Sequence, residues 1–160
     1  MMYKYTLGFV IKGSKVLLIN REKQPWKGCW NGLGGKIKTG ETKEESILRE
    51  LEEETGLVFT IDQIKFKGEV TWNLFDAMGH GLYLFIVYLP EDDHYLTPKS
   101  TDEGILDWKE IDWVCDFDNL GVAHNIPYFL KTIIEEDCNY RFNCVFEGNI
   151  LLRVVKEVLI

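Results

Sequence analysis

Apolar and polar positions alternate toward both ends of the chain, and a helical period appears in two places between them. Tyr3–Ile11 and Val16–Ile19 are apolar runs separated by Lys12-Gly13-Ser14-Lys15, the pattern of a β-hairpin. Arg21–Gly35, with Pro25 and its glycines, has no period and reads as loop. Glu41–Thr55 reads as a helix that Thr39 or Thr42 can cap and that Gly56 ends. Ile61–Trp72 and His80–Leu89 are strand-like, joined by Asn73–Gly79, and Leu89–Ser100 is a polar loop. Ile105–Ile111 is a short strand, and Ile126–Glu136 a second helix with Pro127 in its first turn. Tyr140–Phe146 and Ile150–Val158 read as a closing hairpin around Glu147-Gly148-Asn149. Strands, helix, strands, helix, strands is an α/β order. It predicts a mixed sheet sandwiched by helices in a single compact domain, residues 1–160.

Composition agrees with a packed domain: of 160 residues, 46% are hydrophobic and 28% charged. No apolar run approaches the length of a membrane span, and the N-terminus lacks the pattern of a signal peptide. Cys29, Cys115, Cys138 and Cys144 form no C-x-x-C, and no His pair has zinc spacing. They read as reduced thiols of a cytoplasmic protein. The formal net charge of −8 repels phosphate backbones and disfavours nucleic acid as a partner. A small phosphorylated substrate remains compatible, provided metal ions or local cations screen it.

At about 100° per residue, Glu50, Glu53 and Glu54 share one helix face with Ser46. Ile47, Leu48 and Leu51 occupy the neighbouring arc, and Glu45, Arg49 and Glu52 the outer side. Like charges at this spacing repel. On spacing alone the acids read either as a wetted face or as an oxygen-donor site for Mg²⁺ or Mn²⁺.

The positions upstream narrow that choice. From Gly35 the chain reads G-x5-E-x7-R-E-L-x-E-E-x-G-L, filled by Gly35, Glu41, Arg49, Glu50, Leu51, Glu53, Glu54, Gly56 and Leu57. This pattern resembles the signature of the Nudix hydrolases. The resemblance implies an α/β/α sandwich with a mixed β-sheet and a loop-helix-loop catalytic motif. It also implies hydrolysis of a nucleoside diphosphate linked to a further group, with Mg²⁺ or Mn²⁺ as cofactor. By the same resemblance, Glu50, Glu53 and Glu54 hold metal, with the Gly34 carbonyl and the later acid Glu103 as further ligands. Glu41 and Arg49 brace helix and loop, and Glu53 or Glu50 deprotonates the attacking water. Glu44, Glu45 and Glu52 stay a wetted surface. Lys36, Lys23 and Arg21 are candidate phosphate cations, each equally readable as a solvated charge.

Trp30-Asn31-Gly32-Leu33-Gly34-Gly35-Lys36 is similar to the segment found in 8-oxo-dGTP diphosphatases of the MutT and MutX type, enzymes that sanitise the nucleotide pool. In that branch Asn31 would read a purine edge, for which an amide offers donor and acceptor. The alternative is a turn asparagine bonded to backbone. Asp102-Glu103-Gly104, Leu106, Trp108 and the Tyr140-Arg141-Phe142 ending extend the likeness over most of the chain. One departure stands out. The stretch Leu120–His124 holds no adjacent acid pair to read an oxidised base, leaving Asp116, Asp118 or Asn119 as substitutes. Trp26, Trp72, Phe75 and Tyr83 could stack on a base or pack in the core. The reading is therefore a Mg²⁺-dependent pyrophosphohydrolase of a (deoxy)nucleoside triphosphate, an oxidised purine. It would act as a monomer or homodimer. The alternatives are another nucleoside diphosphate substrate (dinucleoside polyphosphate, nucleotide sugar, capped RNA) or a non-catalytic nucleotide sensor.

Overall fold

A computed structural model describes residues 2–24, 26–73 and 81–160. Pro25, Phe75 and the link before the second central strand lie outside them. In chain order the elements are β1 (Tyr5–Lys12), β2 (Lys15–Arg21), β3 (Trp30–Asn31), α1 (Lys43–Thr55), β4 (Ile64–Trp72), β5 (Gly81–Tyr88), β6 (Lys99–Thr101), β7 (Gly104–Glu110), α2 (Ile111–Val114), α3 (Ile126–Glu135), β8 (Tyr140–Glu147) and β9 (Ile150–Val158).

The strands form one sheet in the order β6-β7-β2-β1-β5-β4-β8-β9, with β3 paired to β2. β1 runs parallel to β5 and β4 parallel to β8, while the other pairs are antiparallel. Buried residues sort by parity. Phe9, Ile11, Leu84 and Ile86 face one core with Ile126, Phe129, Leu130 and Ile133 of α3. Val10, Leu17, Phe85 and Val87 face the other with Ile47 and Leu51 of α1. Both faces of the central strands are covered, which is why β5 reads as a continuous apolar run rather than a clean alternation.

Several boundaries differ from the pattern. The first helix begins at Lys43, because Thr42 caps it: Thr42 Oγ1 accepts from the Glu45 N–H (3.1 Å) and Glu45 Oε2 accepts from the Thr42 N–H (2.8 Å). Glu41 is thereby left outside the helix. β4 starts at Ile64, since residues 60–63 form a turn closed by Gln63 N–H to Thr60 O at 3.0 Å. β3, β6 and the single turn of α2 are too short to leave a period in the sequence.

Candidate active site

The loop before α1 is zipped along β1. Gly8 and Leu33 exchange backbone hydrogen bonds (2.5 and 2.9 Å), the Thr6 N–H donates to Gly35 O (2.9 Å), and the Ile37 N–H donates to Lys4 O (2.8 Å). Gly34 sits at φ 150°, and a Cβ there would lie 2.1 Å from Thr6 O. At Gly35 a Cβ would lie 2.5 Å from Glu50 Oε1. Glycine at these two positions lets the loop hug β1 and lets a carboxylate lie flat against the backbone. Among the described residues no donor is paired with the Gly34 carbonyl, although those on either side are taken.

α1 delivers Glu50 and Glu54 to this turn, while Glu53 reaches Arg49 and Lys38. Glu54 is only 9% exposed and accepts the Gly34 N–H at 3.1 Å. Burial, then a hydrogen bond and charge repulsion from Glu103, push its carboxyl up to about 9. Glu103 comes from the tight turn between β6 and β7, where its N–H is held by Thr101 Oγ1 at 3.2 Å. Burial also raises Glu50, against the pull of Arg49, with Glu53 and Glu103 adding repulsion. Glu53 differs from both: its side chain is 53% exposed.

Arg49 is the hub. Its Nε and Nη2 clamp Glu41 at 2.5 and 3.0 Å, Nη2 also reaches Lys36 O (3.2 Å), and Nη1 reaches Glu50 (2.8 Å) and Glu53 (3.2 Å). This hydrogen bonding, with the Lys38 N–H, holds Glu41 down at about 2, and the same partners raise Arg49 further. The helical wheel placed Arg49 on the outer side. In the structure the loop folds over that side of α1, so the guanidinium is largely covered, with 20% of its side chain exposed. The wheel also placed Glu54 beside the apolar stripe, and it lies within it, with Ser46, Ile47, Leu51 and Thr55.

The donor chemistry suits a hard divalent cation: carboxylate oxygens and one unshared carbonyl, partly buried, with an excess of negative charge. Among the described residues, however, no three acids stand together as a ready metal cage. Arg49 engages two of these carboxylates, Glu50 and Glu53, at once.

The other candidates are placed less centrally. Asn31 sits in β3 with Oδ1 accepting the Gly32 N–H (2.8 Å), which is the backbone-bonded alternative; no partner is paired with its –NH₂ among the described residues. Lys36 and Lys23 are exposed, with no ion pair to the acids among the described residues, and Arg21 is half-buried at the end of β2. Asn119 is engaged within its own turn, donating to Trp113 O and accepting from the Gly121 N–H (both 2.9 Å). Asp116 accepts the Asp118 N–H at 2.9 Å, and the Asp118 side chain stays exposed. Tyr83 is buried in the α1-side core, whereas Trp26 and Trp72 pack at the edge of the other. Lys109, which the sequence did not single out, sets its ammonium 4.3 Å from the centre of the Trp30 ring. No local motif announces that contact, because it joins β7 to β3.

The NUDIX domain profile matches residues 2–136. The chain is 35% identical over 107 residues to an oxidized purine nucleoside triphosphate hydrolase of Danio rerio, covering 67% of this chain and 65% of that protein. It is 49% identical over 51 residues to an ADP-ribose pyrophosphatase of Methanocaldococcus jannaschii, covering 32% of this chain and 30% of the other. The match thus spans under two thirds of either relative's length. The crystal structure of a mutator MutT protein from Bacillus halodurans superimposes with a TM-score of 0.72 at 26% identity, covering 96% of both chains. With the signature residues gathered on one loop and helix of a mixed sheet, and the profile spanning most of the chain, the protein belongs to the NUDIX domain family.

Proposed function

We propose that residues 1–160 form one Nudix pyrophosphohydrolase domain, which cleaves a (deoxy)nucleoside triphosphate of oxidised-purine type into a monophosphate and pyrophosphate. The observation that carries this reading is the meeting of two α1 acids with the loop of the signature, Glu50 against Gly35 and Glu54 on the Gly34 N–H. The relative from Danio rerio supports the substrate class.

Glu50, Glu53, Glu54, Glu103 and the Gly34 carbonyl would hold the divalent metal, Mg²⁺ or Mn²⁺. When bound, the metal neutralises phosphate oxygens and makes water more acidic. Glu53, more exposed than Glu50 and Glu54, accepts the proton of the attacking water, and Glu50 is the second candidate. Water oxygen bonds to phosphorus, the anhydride P–O bond breaks, and the leaving phosphate oxygen departs as pyrophosphate. Arg49, clamped by Glu41, orients Glu50 and Glu53. The –NH₂ of Asn31 is the group left to donate to a purine acceptor. Arg21, Lys23 and Lys36 meet the phosphates.

A second reading, hydrolysis of ADP-ribose, is favoured by the relative from Methanocaldococcus jannaschii. Steady-state turnover with Mg²⁺ on 8-oxo-dGTP, dGTP, ATP, diadenosine tetraphosphate and ADP-ribose separates the two. The proposal expects 8-oxo-dGTP to give the highest kcat/KM. Preferred hydrolysis of ADP-ribose overturns the substrate, and no hydrolysis of any of them overturns the enzyme.

A further inference from the structure

The sheet ends on β9, and among the described residues no strand pairs with its outer edge. The phase of that edge can be worked out. The Leu159 N–H donates to Asn139 O at 2.9 Å, and the pairing continues as Arg141 with Glu157, Asn143 with Val155, and Val145 with Arg153. Backbone groups alternate sides along an antiparallel strand. Arg153, Val155 and Glu157 therefore bond to β8, and Val154, Lys156 and Val158 aim their N–H and C=O outward. The edge carries apolar side chains too: Leu152, Val155 and Val158 are all exposed. Long exposed edges of this kind are templates for another strand.

We propose that this edge pairs antiparallel with the same edge of a second copy, about a two-fold axis through Val155, joining two sheets into one. In that register Arg153 faces the partner's Glu157, and Glu157 faces the partner's Arg153. Val155 meets its own copy. Val154 exchanges backbone hydrogen bonds with the partner's Lys156. The charges select this register. Centring on Lys156 would set that residue against its own copy, and centring on Val154 would leave Arg153 opposite a valine. Arg153 has no ion pair within its own chain among the described residues, and Glu157 only approaches Arg141, at 4.0 Å.

Sedimentation equilibrium at low salt, from about 1 to 100 µM protein, tests this. The wild type is expected to be a dimer. Arg153→Glu, which sets two like-charge pairs across the axis, should raise the dissociation constant about tenfold or more. The double variant Arg153→Glu/Glu157→Arg should restore it to near the wild-type value. Lys156→Pro removes an outward N–H and no bond to β8, and is expected to be monomeric. Thermal unfolding of each variant, run in parallel, separates lost pairing from lost folding, and the charge-swapped double carries the decision if the proline variant misfolds. A wild type that stays monomeric throughout overturns the proposal. So does a dimer that ignores Arg153→Glu, or a double variant that remains as weak as the single one.

Discussion

The two main helices cover opposite faces of the same sheet and are held there by different means. α3 buries Ile126, Phe129, Leu130 and Ile133 completely, and Asn125 supplies no side-chain cap. α1 buries Ile47 and Leu51, but also Ser46, whose Oγ has no partner among the described residues, and the carboxyl of Glu54. It is closed by a capping box at Thr42 and by Gly56 in the left-handed conformation. α3 is held mainly by its core. α1 relies more on its ends, because part of the face that would have packed is given to acids. Burying such groups is unfavourable for folding, and a helix that does so carries chemistry in exchange.

The comparison breaks most visibly in activity. Glu53→Gln is expected to lower kcat by about 10²- to 10⁴-fold, the range for a lost general base, with little change in Tm because the side chain is half in water. Full activity in this variant would remove Glu53 from the mechanism and shift the role to Glu50. The mirror experiment is Phe129→Ala in α3. Emptying that buried site should cost about 3–5 kcal/mol in denaturant unfolding while leaving kcat of the folded fraction unchanged.

A third expectation concerns pH. The Glu54 carboxyl is raised in the folded state to about 9, from an ordinary value of 4.5. A raised carboxyl binds its proton more tightly when folded, so its contribution is full below the unfolded value and is lost as pH climbs through the folded one. In EDTA, unfolding free energy should therefore fall between roughly pH 4.5 and 9, by on the order of a few kcal/mol. Glu54→Gln should flatten that slope, and an equally steep slope in the variant would assign it elsewhere. The smallest effect is at the cap: Thr42→Ala should cost about 1 kcal/mol by thermal unfolding and leave turnover nearly intact.

Much of the frame was legible because it is local. The Thr42 cap, the Gly56 stop and the 3.6-residue period bounded α1 within two residues, and the hairpin turns separated β1 from β2 and β8 from β9. What escaped depends on contacts distant in sequence. The wheel alone puts Arg49 outward, and only the resemblance pairs it with Glu41, since nothing on a helix alone says that residues 34–41 will fold over it. Asn119 is an available amide on paper, yet the 113–121 turn consumes both its ends. Glu103 could be named from its place in the chain, but its approach to Glu54 follows from β7 pairing with β2. The short strands β3 and β6 exist because β2 and β7 offer them an edge.

The central claim is that the acids on α1 form a metal site once Arg49 yields Glu50 and Glu53. Titration with Mn²⁺ at neutral pH, following free Mn²⁺ by electron paramagnetic resonance, tests it directly in the wild type and in Glu54→Gln. The account predicts saturable uptake by the wild type and affinity at least about tenfold weaker in the variant, a loss that even an outer partner of a metal site can cause. Equal uptake by both proteins, or none by the wild type, would contradict it.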